Sequence, residues 1–99
     1  MLVAAQVTLK VCVGKDVGKA REALMTLQLQ TRREAGCLRF DLFQWSADPS
    51  TFTLIEVFKD QSAFEQHLQT PYTQAYFALG MTEVANKQDV EVLADHVEG

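Results

Sequence analysis

Apolar and polar positions alternate along the opening stretch. Val3, Ala5, Val7, Leu9, Val11 and Val13 are interleaved with Gln6, Thr8, Lys10 and Cys12. That two-residue period predicts a long first strand with one apolar face. Gly14 and Gly18 then break the pattern, and Asp16 is placed to cap a helix. Val17, Ala20, Leu24 and Leu27 recur at helical spacing to about Arg33, with Arg21, Glu22, Gln28, Arg32 and Arg33 outside. Gly36 stands where a helix C-terminal glycine belongs.

Two strand-favouring runs follow, Glu34 to Gln44 and Phe52 to Asp60, joined by a connector rich in turn residues (Ser46, Asp48, Pro49 and Ser50). They predict a β-hairpin. Setting Gln44 opposite Phe52 puts Leu38, Phe40, Leu42 and Gln44 on one face with Phe52, Leu54, Glu56 and Phe58. One carboxylate, Glu56, thus lies among aromatic and aliphatic side chains.

Beyond the hairpin the period returns to that of helices. Asp60 can cap a short helix whose inner stripe is Phe64, His67 and Leu68. Thr70 and Pro71 restart the chain as cap and first helical residue. Tyr72, Ala75, Tyr76 and Leu79 give the second helix an aromatic face, with Phe77 beside it and Gly80 at its end. Residues 81 to 86 read as a connection, and Val90, Val92 and Ala94 alternate with Asp89, Glu91 and Asp95 as a final strand.

The order strand, helix, strand, strand, helix, strand predicts an α+β, ferredoxin-like βαββαβ domain spanning residues 1–99, with a four-stranded antiparallel sheet and helices on one face. Such a sheet should be polar on its open side. The hairpin instead places Phe43, Trp45, Ile55 and Val57 there, so a partner is expected, most simply a second copy in a homodimer.

Composition narrows the function classes. The formal net charge of −4 and scattered basic residues offer nucleic acid no concentrated positive patch. No segment reaches bilayer-spanning length, and Met1 to Ala5 is too short for a secretory leader, so no membrane partner and a cytoplasmic home are expected. Cys12 and Cys37 belong to no CxxC pair and read as free thiols. His67 and His96 lack ligand partners at metal-site spacing, so no metal is expected.

The segments Glu34-Ala35-Gly36-Cys37-Leu38-Arg39-Phe40, Phe52 to Asp60, and His67 with Thr70-Pro71-Tyr72 resemble the antibiotic biosynthesis monooxygenase superfamily of dimeric α/β barrels. The resemblance covers almost the whole chain in order and spacing. Leu38-Arg39-Phe40-Asp41, Lys59-Asp60 and Thr70-Pro71-Tyr72 are most similar to two of its groups, quinol monooxygenase-like and phospho-autoinducer-processing. Haem-degrading members use a late histidine ligand, whereas Tyr76, Phe77 and Met81 occupy that stretch here. Phe58 stands where related monooxygenases often carry tryptophan, which keeps the pocket aromatic and removes an indole donor.

The resemblance implies a pocket whose residues can be assigned roles. His67 is the best proton acceptor in the chain, or else a core histidine bonded to a backbone carbonyl. Glu56 could orient His67 or hold a substrate hydroxyl; alternatively it pairs with Arg39 or a lysine. Tyr72 and Tyr76 could direct two hydroxyls into one cavity, or be plain core. Phe40 and Phe58 would supply aromatic walls, while Arg39 and Lys59 are candidate anion anchors. The implied chemistry is cofactor-independent oxygenation of a quinol, anthrone or similar enediol by dioxygen, with no flavin, haem or metal. A phosphorylated hydroxyketone isomerase and a non-catalytic dimeric binding module are the alternatives.

Overall fold

The computed structural model describes residues 1–93. Strand β1 (Val3–Val11) leads to helix α1 (Val17–Thr31), then to strands β2 (Cys37–Gln44) and β3 (Thr51–Phe58). Helices α2 (Gln61–Gln69) and α3 (Pro71–Leu79) follow, and strand β4 (Thr82–Val90) closes the order. The sheet runs β2-β3-β1-β4 with every neighbouring pair antiparallel, which is the ferredoxin-like α+β arrangement.

The alternation of β1 sets the core. Ala5, Val7 and Leu9 stand opposite Glu56, Leu54 and Phe52, and all six are buried on the helix side together with Leu24, Leu27, Phe40 and Phe58. The hairpin pairs Gln44 with Phe52, Leu42 with Leu54 and Phe40 with Glu56, in the register its pattern predicts. That register breaks at the start of β2. Cys37, not Leu38, stands opposite Phe58, and a bulge leaves Leu38 exposed. On the open side Phe43 and Trp45 are 55% and 45% exposed, Ile55 is half-buried, and Val57 is buried.

Caps fix the helices. The Asp16 carboxylate accepts from the Lys19 N–H at 3.0 Å, and Asp60 accepts from the Ala63 N–H at 2.8 Å. Pro71 opens α3, but the Thr70 side chain makes no capping bond; its hydroxyl donates back to the His67 carbonyl at 2.8 Å. Gly80 ends α3 at φ +60°, a conformation glycine adopts without strain. Gly36 has a different reason to be glycine. Helix α1 ends at Arg32, and a Cβ at position 36 would lie 2.4 Å from that of Ala63, so close passage of the chain over α2 replaces the expected helix-ending role.

The last strand differs most from the expectation. It begins at Thr82 and pairs with β1 from Val11↔Thr82 to Ala4↔Val90, with a register shift between Thr8 and Leu9. Residues 82 to 86 are therefore strand, not connection, and Val92 lies beyond it; Ala94 and Asp95 fall outside the described residues. This segment is mostly exposed and has no clean alternation, so pairing with the free edge of β1 decides its state, not burial. At the other end β1 stops at Val11, short of the exposed Val13.

Candidate functional site

Between the helices and the sheet lies a cavity of about 180 Å³. Val7, Leu9, Leu24, Leu27, Phe40 and Leu54 form most of its apolar wall, closed by Phe64, Leu68, Tyr76, Phe77 and Val84. Three ionisable side chains line it besides Tyr76: Glu56 from β3, His67 from α2 and Lys87 from β4.

His67 sits in the last turn of α2, 4% exposed, on the inward stripe that also carries Ala63 and Phe64. Its ring lies between those of Phe40 and Phe58, with centroids 5.6 and 5.0 Å away. Nδ1 is 2.9 Å from Oε2 of Glu34, which comes from the turn after α1. The same carboxylate oxygen accepts the Tyr72 hydroxyl. A carboxylate only accepts, so the neutral imidazole carries its proton on Nδ1 and leaves Nε2 as the basic nitrogen. Arg32 braces the strand beside it, donating to the Phe40 carbonyl at 2.9 Å and to the Asp41 carboxylate at 2.7 Å.

Glu56 is 7% exposed and faces the cavity. Burial pushes its carboxyl upward from the ordinary value of 4.5, against the lowering influence of His67 and Lys87. Among the described residues it forms no ion pair: Arg39, one expected partner, is exposed on the opposite sheet face beside Asp41 (3.5 Å). Glu34, not Glu56, orients His67.

The remaining expected residues separate. Phe40 lines the cavity, whereas Phe58 is fully buried behind His67 and Phe64. Tyr76 lines the cavity with its hydroxyl hydrogen-bonded to that of Thr82, and burial pushes its pKa up. Tyr72 does not share that cavity; its hydroxyl is spent on Glu34, and burial together with this carboxylate pushes it up to about 12. Lys59 is exposed in a separate depression with Glu34, Asp60 and Gln66. Neither expected anion anchor reaches the cavity. Cys37, half-buried near Glu34, is pushed up to about 11 by burial and that carboxylate, so its thiolate is scarce near neutrality.

Two residues of the site escaped sequence reasoning. Glu34 was visible only as the first letter of a motif, since its partners lie 33 and 38 residues away. Lys87 carries no such signal, since the alternating pattern starts at Asp89 while β4 itself starts at Thr82. Among the described residues no cluster of three His, Cys, Asp or Glu side chains is arranged to hold a metal. No described helix is long and apolar enough to cross a membrane.

The family model for antibiotic biosynthesis monooxygenase matches residues 2–79. The chain belongs to that family. It is similar to Putative monooxygenase YcnE of Bacillus subtilis (strain 168), 31% identical over 65 residues that cover 66% of this chain and 68% of YcnE. The fold is similar to that of a protein designated YJCS, with a TM-score of 0.84 at 21% identity, covering 93% of this chain and 99% of that one. A Putative antibiotic biosynthesis monooxygenase from Nitrosomonas europaea is 25% identical with a TM-score of 0.74, covering 90% of this chain and 86% of its own. Within this family framework the Glu34–His67 pair at an apolar cavity is the chemistry to explain.

Proposed function

We propose that the protein is a cofactor-independent monooxygenase of a quinol or similar electron-rich enediol. The observation that carries this reading is His67: buried at an apolar cavity, held by Glu34 through Nδ1, and left with Nε2 as its base. A ligand hydroxyl in the cavity would pass its proton to Nε2, and Glu34 would stabilise the resulting imidazolium. The substrate anion then donates an electron to dioxygen, and the two radicals join in a carbon–oxygen bond. Cleavage of the O–O bond leaves one oxygen atom on the substrate carbon and releases the other as water, with substrate supplying both hydrogens. The apolar wall serves this step by excluding bulk water around the anion and fixing its orientation.

The isomerase alternative loses both of its expected phosphate anchors, because Arg39 and Lys59 lie away from the cavity and leave Lys87 as the one lysine or arginine of its described lining. Homodimerisation belongs to the same proposal. The exposed Phe43 and Trp45 on the helix-free sheet face favour a second copy there. Sedimentation at micromolar concentration should give twice the subunit mass, and a lone subunit would remove the dimer.

Oxygen-electrode measurements with single-ring and menadiol-type quinols test the activity. Uptake above the autoxidation rate is expected, with product formation abolished under anaerobic conditions. Equal turnover without oxygen would overturn the oxygenase, and no quinol consumed across the panel would overturn it and leave a binding module.

A further inference from the structure

Glu56 and Lys87 add a selectivity that the oxygenase reading does not require. Glu56 is 7% exposed, faces the cavity and makes no hydrogen bond to a described residue, so its carboxyl oxygens open only to the cavity. A carboxyl on an apolar wall whose oxygens meet only the cavity gains from a donor that a ligand supplies. Whether protonated or ionised, its carboxyl offers an acceptor oxygen.

Lys87 is the cation of the described cavity lining. It is exposed, its Nζ lies 5.3 Å from the Phe64 ring centroid, and it forms no ion pair among the described residues. Asp89 shares its side of β4 but does not line the cavity. Ala5 of β1 stands opposite Glu56 on one side, and Val7 stands opposite Lys87 on the other, so the two residues lie two strand spacings apart and two residues out of level, about 12 Å between backbones. Both side chains line the same cavity from its two flanks, so one ligand can meet both.

Size sets the third limit. An apolar cavity of about 150 Å³ takes up benzene. The 180 Å³ found here therefore suits one ring with small substituents.

We infer that the cavity selects a single-ring hydroxylated aromatic bearing an anionic substituent, its ring hydroxyl bonded at Glu56 and His67 and its anion paired with Lys87. The inference rests on the oxygenase reading for the ligand's redox character, but its binding pattern is separable from turnover.

Anaerobic calorimetric titration of the intact protein with 2,5-dihydroxybenzoate, hydroquinone and 1,8-dihydroxyanthrone tests it. The expected order is 2,5-dihydroxybenzoate at least tenfold tighter than hydroquinone, and tighter than the uncharged anthrone. Lys87→Met should erase the difference between the first two, and Lys87→Arg should keep it, which guards against a folding artefact. Equal affinity, preference for the anthrone, no binding of either single-ring probe, or an unchanged ratio in Lys87→Met would overturn the inference. Oxygen uptake on the same ligands separates the two claims. Turnover without preference removes the ligand class alone, whereas preference without turnover removes the oxygenase reading alone.

Discussion

His67 Nδ1 and Glu34 Oε2 lie 2.9 Å apart although 33 residues separate them in the chain. The turn after α1 thereby fixes the tautomer of a histidine carried by α2. Tyr72, from α3, donates to the same oxygen, so three separate segments meet at one carboxylate. This arrangement makes Glu34 a positioning residue, acting on a ligand only through His67.

Glu34→Gln should therefore reduce kcat for quinol oxygenation while leaving KM nearly unchanged. A lost hydrogen bond to a charged group is worth about 1.5–3 kcal/mol, or roughly 10- to 150-fold in rate. Nitrogen-15 NMR should show His67 of the native protein as the Nδ1–H tautomer and a mixture in the variant. A native tautomer in the variant with lost activity would mean Glu34 acts otherwise.

Tyr72→Phe removes the second donor to Glu34 but no cavity wall. Urea unfolding should show a loss of about 1–3 kcal/mol at unchanged m, with oxygenation reduced less than in Glu34→Gln. A larger activity loss than that of Glu34→Gln would place the Tyr72 hydroxyl at the substrate.

Glu56 predicts a pH-dependent stability. Its folded carboxyl is raised above 4.5, so the native state holds this proton after the unfolded chain has released it. The folded protein consequently loses stability as pH rises from about 4.5 through the raised value. Glu56→Gln carries no such charge and should gain on the native protein over that interval, converging with it below pH 4.5. Parallel stability curves for the two proteins would show that Glu56 titrates normally.

Gly36→Ala drives a methyl group against Ala63 at 2.4 Å, where the chain at position 36 or helix α2 must shift. Overpacking of this kind costs typically 1–3 kcal/mol. A fall in the urea midpoint at constant slope is expected, and an unchanged midpoint would show that α2 yields freely at Ala63.

The fold was legible because its signals are local or strictly periodic. The alternation of β1, the Gln44–Phe52 register, Asp16, Asp60 and Pro71 each act within a few residues or one strand pair. His67, Glu56, Phe40 and Tyr76 could be placed on inward faces by the same logic. What stayed hidden depends on contacts between distant segments or on irregular pairing. The bulge at Leu38 moves Cys37 opposite Phe58, and no period announces an extra residue. Polar β4 takes its structure from the edge it joins, which concealed Lys87. Glu34 reaches His67 and Tyr72 only once α1, α2 and α3 are packed. Arg39 follows the reverse case: strand alternation beside Phe40 already places it on the other face.

The central claim, that His67 is the base of an oxygenation, is tested most directly by turnover under ¹⁸O₂ with the native protein and His67→Ala. One ¹⁸O atom per product molecule and one in water are predicted, with the rate falling on the order of 10²–10⁴-fold in the variant. Product free of label, or His67→Ala turning over at the native rate, would contradict the account.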